Sequence, residues 1–182
     1  MIPDSRTIDY PFAASSDRLL YRPVVDSDGD YWINFFNDPI AIKYFPTFQV
    51  DDAETNLKMW MDRVIDRYKE GLFGLHSLIE KSTGKYVGQC GLLTQEVDGK
   101  SELEIGYSLL REHWGKGYAT EAATFMKQFA MENRLADHIV SLIHVDNWPS
   151  RKVAERNGMK VWKHSTWKEL PIVVYRVNVI PD

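Results

Sequence analysis

Apolar and polar positions alternate along three runs in the middle of the chain, LFGLHSLIEK, YVGQCGLLTQ and ELEIGYSLL, which are separated by the glycine-containing turns STGK and EVDGK. A period of two broken by tight turns predicts an antiparallel meander over residues 72–110. Before it, DRLLYRPV (17–24) reads as a strand. VDSDGDYWINFFND then has an acidic start and aromatics at helical spacing, with Pro39 to break the helix. In DDAETNLKMWMDRVIDRYKEG, Leu57, Trp60, Met61, Val64 and Ile65 fall on one helical face, acidic residues crowd the N-terminus and Gly71 can end the helix. After the meander the period changes. A helix is expected over Tyr118–Glu132, then the short apolar strand HIVSLIH, the helix PSRKVAERNG with Gly158 as a left-handed C-terminal cap, and strands at KVWKHSTW and PIVVYRVNVI. The first ten or so residues read as a loose arm.

This order predicts a mixed α/β fold: a mostly antiparallel central sheet with flanking helices. The strand, helix, strand unit of residues 102–144 should add one parallel pair. No repeat, low-complexity tract or linker divides the 182 residues, so a single domain over 1–182 is expected. No apolar run approaches a membrane span and the first residues lack a secretory pattern, which points to the cytoplasm and away from a membrane. A net charge of −4 supplies no global field for nucleic acid, so no stable nucleic-acid binding is expected. The single cysteine, Cys90, lies in a strand-like run and reads as a small buried hydrophobe. The five histidines are scattered with no i, i+4 pair, and no metal is expected.

The stretch WGKGYATEA, between the last meander strand and the following helix, is the candidate for chemistry. Helix N-termini carry unpaired N–H groups and partial positive charge, so an anion is favoured there. Gly115 and Gly117 allow close backbone approach, and the amides of Gly115, Lys116, Gly117, Tyr118, Ala119 and Thr120 can form a nest around phosphate. Lys116 either adds charge or points to solvent. A Walker A loop is excluded, since Leu110 stands where its first glycine belongs and Gly117 follows Lys116. A dinucleotide fingerprint fits poorly: Thr120 takes the third glycine site and too few strand and helix units follow. A plain tight turn before an alanine-rich helix stays open as the alternative.

EIGYSLLREHWGKGYATEA, together with DNWPSRKVAERNGM, DRLLYRPVVDSD and NDPIAIKYFP, resembles the GCN5-related N-acetyltransferase superfamily over nearly the whole chain. Within it, the chain resembles the branch of ribosomal-protein alanine and serine N-acetyltransferases. The resemblance implies acetyl-CoA as co-substrate, its pyrophosphate on the glycine loop. Gly117 and Ala119 match the fixed positions of that loop, while Trp114 replaces the family's Gln or Arg. It implies that the strand carrying Glu104 splays from HIVSLIH, so that the main chain of Tyr107, Ser108, Leu109 and Leu110 can bond the pantetheine arm. Asn147 would bond that arm as well, although capping of the next helix explains it too. Glu104 is the candidate general base, with Glu102 on the same face as competitor. Ser150 is the candidate proton donor to the leaving sulfur, with helix-start bonding as its other role. Trp32, Tyr44, Phe45, Phe48 and Trp60 fall in the segment that walls the family's acceptor pocket. Ser141, His144 and Asp146 crowd too closely along one strand to form a hydrolase triad. The expected function is an N-acetyltransferase acting on a primary amine; the alternative is an acyl-CoA-binding regulatory module without turnover.

Overall fold

The computed structural model describes residues 2, 10, 13–46 and 52–179. Along the chain come β1 (Ala14–Ser15), β2 (Leu19–Pro23), α1 (Gly29–Phe36), α2 (Ala53–Lys69), β3 (Leu75–Glu80), β4 (Tyr86–Val97), β5 (Lys100–Leu109), α3 (Tyr118–Glu132), β6 (His138–His144), α4 (Trp148–Arg156), β7 (Lys160–Trp167) and β8 (Leu170–Asn178). Among the described residues the strands form one sheet in the order β1-β2-β3-β4-β5-β6-β8-β7. Every neighbouring pair is antiparallel except β5 and β6. The expected order of elements is found, and the two-residue β1 is an addition that its length hid from any periodicity. Phe48 and the proposed loose arm, apart from Ile2 and Tyr10, lie outside the described residues. No helix among those residues is long and apolar enough to cross a membrane.

The period-two pattern divides the meander between two faces. Leu78, Cys90, Leu92, Leu103 and Ile105 pack with Tyr118, Ala122, Met126 and Ala130 of α3. Leu75 and Leu93 turn the other way, against Met61 and Val64 of α2. Cys90 is fully buried and its thiol pKa is pushed up by that burial, as suits a packing residue. On the α2 side Trp32, Phe35 and Phe36 of α1 close over Tyr86, whose hydroxyl accepts the Trp32 indole N–H at 2.7 Å. Farther along, Val97, Val140, Ile172 and Val174 form a separate apolar cluster beneath Trp167 and Leu170 of the β7–β8 hairpin.

Local chemistry sets the ends. The Asp52 carboxylate accepts the Thr55 N–H at 2.7 Å and starts α2. Gly158, at φ +79°, follows α4 in the left-handed region expected of it. At Gly91 the β3 end comes very close: a β-carbon there would stand 2.2 Å from the Gly74 carbonyl oxygen and 2.8 Å from Leu75 Cα. Gly91→Ala should therefore force the two main chains apart and cost about 1–3 kcal/mol of stability. Urea unfolding checks this, and an unchanged midpoint would mean that the ladder yields there without strain.

Candidate active site

β5 pairs along its whole length with β4, from Val97↔Lys100 to Gly88↔Leu109, and β6 pairs along its whole length with β8. Between β5 and β6 only one register pair joins the strands, Glu104↔Val140. Beyond it side chains do the joining. Ser141 Oγ donates to the Ile105 carbonyl at 3.0 Å, and the Leu142 N–H donates to Glu104 Oε1 at 3.3 Å. The Leu109 carbonyl accepts the Trp114 indole N–H at 2.9 Å. The carbonyls of Ile105 and Leu109 thus both point away from β4, and by the alternation of a strand the main chain of Tyr107 points the same way. Ser108 faces Gln89 of β4, while Leu110 donates to Val87 and accepts from His113. Of the four backbone positions expected to meet a ligand, Tyr107 and Leu109 therefore front the opening, and Ser108 and Leu110 are engaged elsewhere.

At the wide end of this opening stands the glycine loop. Gly115 has φ +73° and Gly117 φ +84°, the left-handed region that favours glycine, and Gly117 is the N-cap of α3. Trp114 N–H bonds Arg111 and Glu121 N–H bonds Gly117, but among the described residues the six consecutive amides of residues 115–120 have no protein acceptor. Lys116 is exposed, and its carbonyl accepts from Arg18 at 2.9 Å. Sequence reasoning missed Arg18. Its guanidinium also bonds Glu121 at 2.7 Å and lies 4.5 Å from the Tyr118 ring centroid. Partial burial works against the Glu121 charge, yet hydrogen bonds from Ser16 and Arg18 hold its carboxyl below the usual range. The loop is thereby strapped to the residue that precedes β2 from one side and, through Trp114, to β5 from the other. Trp114 stands where the resemblance expects Gln or Arg, and it contributes a tether in their place.

Asn147 is the N-cap of α4, its side-chain oxygen accepting the Ser150 N–H at 3.3 Å. Its amide NH2 is left to donate elsewhere. The Ser150 carbonyl accepts the Tyr107 hydroxyl at 2.9 Å, which ties α4 to β5 across the opening. No described residue bonds the Ser150 hydroxyl.

Glu104 stands at the apex where the strands part, on the α2 side of the sheet, and only 7% of it is exposed. Its other oxygen accepts from Gln95 at 2.9 Å. Burial raises its carboxyl above the usual range, and the hydrogen bonds from Gln95 and Leu142 and the charges of Lys168 and Arg67 only partly oppose this. Glu102, two residues earlier on the same face of β5, is occupied by His138 Nε2 at 2.7 Å. On the same face the Tyr44 ring stacks on His144 at 4.8 Å, and His144 Nδ1 accepts the Asp146 N–H at 3.1 Å. Ser141 is buried and turned to β5, away from any triad with them. Trp32, Phe45 and Trp60 pack chiefly on Phe35, Phe36 and one another. No signal in the sequence pointed to the Gln95 contact or the Tyr44 stack, because both depend on side chains meeting across distant elements.

Comparison with known proteins bears on the family and the fold. Residues 18–160 match the family described as acetyltransferase (GNAT) domain. The Bacillus subtilis protein YkkB is 32% identical over 161 residues, covering 88% of this chain and 92% of its own. The Bacillus licheniformis protein p20, described as an uncharacterized N-acetyltransferase, is 30% identical over 142 residues, 76% of each chain. Among solved structures, the ribosomal L7/L12 alpha-N-protein acetyltransferase RimL in complex with coenzyme A superposes with a TM-score of 0.71, covering 91% of this chain and 96% of its own at 16% identity. At that identity the likeness is one of fold.

The raised Glu104 pKa carries a stability consequence with a definite sign. A carboxyl that binds its proton more tightly when folded costs nothing below its unfolded value, near 4.5, and destabilises the fold as pH rises through its higher folded value. Glu104→Gln should therefore gain stability relative to the parent as pH climbs from about 4 to 8. Denaturant titrations along that range test it; a constant difference would mean that Glu104 titrates as an ordinary carboxylate.

Proposed function

The chain belongs to the acetyltransferase (GNAT) domain family, and from that premise we propose that it transfers the acetyl group of acetyl-CoA to a primary amine, of a small molecule or a protein N-terminus, by direct attack with both substrates bound. One observation carries the reading: among the described residues, six consecutive amides without a protein acceptor at a helix N-terminus stand beside a sheet opening where the main chain of Tyr107 has no partner. The first feature suits a diphosphate and the second an amide-bearing arm that lies along β5 as an added strand. Bound so, acetyl-CoA supplies an acetyl group already activated as a thioester.

The chain's own residues then have little to do beyond alignment and proton handling. The amides of Gly115, Lys116, Gly117, Tyr118, Ala119 and Thr120 hold the diphosphate. The main chain of Tyr107 and Leu109, with the Asn147 amide, holds the arm. Glu104 takes the proton that the amine sheds, directly or through one water, and its raised pKa brings it nearer the operating pH, where a general base is most effective. Ser150, whose hydroxyl no described residue engages, gives a proton to the departing sulfur.

Calorimetry with coenzyme A, paired with a thiol-release assay over a panel of amines, tests the assignment. Gly117→Glu should weaken coenzyme A binding by more than about tenfold, since it puts a side chain and a like charge where the phosphate sits. Unchanged affinity would refute the loop's role. Glu104→Gln should keep coenzyme A affinity and lower turnover by roughly 10²-fold or more; full turnover at every pH would exclude Glu104 as the base. Tight coenzyme A binding without amine-dependent thiol release by the parent protein would leave a binding module in place of an enzyme.

A further inference from the structure

Arg63 and Arg67 of α2 and Lys168 of the β7–β8 turn belong to elements that pack on the Glu104 face of the sheet, and the charges of Lys168 and Arg67 act on the Glu104 carboxyl. Arg63 and Arg67 lie one turn apart on α2. Arg67 is half-buried: its Nε donates to the Phe73 carbonyl at 2.7 Å and it reaches the Thr94 carbonyl at 3.5 Å. Gln95, next to Thr94, is the residue that bonds Glu104. Lys168 sits in the β7–β8 turn, whose flanking Trp167 and Leu170 pack over Val97 and Val140. Among the described residues none of the three cations forms an ion pair.

The nearby carboxylates do not balance them. Arg63 and Arg67 line a groove of about 500 Å³ with Met59, Asp62, Asp66 and Glu70. Asp62 is paired with Lys58 and Asp66 with Lys69, and Glu70 only attracts Arg67 from a distance. Both Glu104 oxygens already accept hydrogen bonds. Desolvation and then the Arg63 charge bring the Lys168 ammonium down to about 8, while burial and Arg63 lower Arg67 too. Like charges held near one another disfavour their charged forms unless an anion joins them. The chain as a whole is acidic, so three cations gathered at one place stand out against its average.

We propose that the acceptor carries a carboxylate beside its amine, as a free amino acid does, and that Arg67, Lys168 and Arg63 receive that carboxylate while the amine points to Glu104. This rests on the transferase reading and sharpens it. A zwitterion matches a site with a carboxylate at its floor and guanidinium and ammonium groups at its rim. Acceptors with several positive charges, such as polyamines, are repelled by the same rim.

The test uses the full chain with acetyl-CoA and reads thiol release with leucine, leucinamide and spermidine. Leucine should exceed leucinamide in kcat/KM by at least about tenfold, as expected when a charge-assisted contact is lost. The amide's less basic amine is more often neutral near neutral pH, which works against the expected preference. In Lys168→Met and Arg67→Lys the ratio of the two kcat/KM values should fall several-fold, mainly through KM for leucine. Thermal unfolding of each variant verifies that it is folded, and Lys168→Met, in an exposed turn, decides the matter if Arg67→Lys does not fold. Preference for leucinamide or spermidine, or an equal effect of Lys168→Met on both leucine and leucinamide, would overturn the proposal alone. Coenzyme A binding without transfer to any amine would overturn the transferase reading and this one with it.

Discussion

A strand inside a sheet has hydrogen-bonding groups on both edges, and leaving one edge unpaired costs free energy unless something else takes its place. In this protein β5 satisfies one edge completely against β4 and meets β6 at a single register pair. Everything at the site follows from that shortfall. The Ser141 hydroxyl, the Glu104 carboxylate and the Trp114 indole take up three of the groups that a regular ladder would have paired, and the main chain near Tyr107 is left for a ligand. The gap is kept open from outside. β6 is committed to β8 along its whole length, and α4 is tied to β5 by the Tyr107 hydroxyl.

The same economy governs the glycine loop. Free amides at residues 115–120 are useful only if they stay pointed at one place, and two left-handed glycines alone would leave them mobile. Arg18 and Glu121 supply the restraint. An acid in the first turn of α3 is favoured by the helix dipole, and it also bonds Ser16 and both the main chain and the side chain of Arg18. The cost of ordering the loop is thus met within the fold, so a bound diphosphate need not supply it.

The architecture was largely legible because the period changes where the elements change. Alternation marked β3, β4 and β5, and the Ala-rich spacing marked α3. Gly115 and Gly117 marked the loop for a reason that holds in any fold, since their φ values are ones other residues avoid. The splay was a different matter: HIVSLIH reads as an ordinary buried strand, and only its likeness to a known family suggested that it would part from β5. Contacts between side chains far apart in sequence left no local trace. Arg18 looks like any strand-edge arginine, Arg67 like any polar position on α2, and Lys168 like any turn lysine. Glu104 had a face assigned by alternation, but its burial comes from α2 and the β7–β8 hairpin closing over it, which no period records.

Glu104 also links the architecture to the chemistry. Its side chain stands in for a main-chain acceptor at the point where the strands separate, so the residue that bridges the parted strands is the same one proposed as the base. The two roles pull in opposite directions. An ionised carboxylate accepts the Leu142 N–H more strongly, whereas burial favours the protonated form. The charges of Lys168 and Arg67 soften that conflict without ending it, which leaves the carboxyl raised. Had either formed a direct ion pair, Glu104 would have been held ionised at any working pH and would be a poorer proton acceptor. In the proposed mechanism the charges around the apex tune the basicity of Glu104, while the strand geometry sets its position.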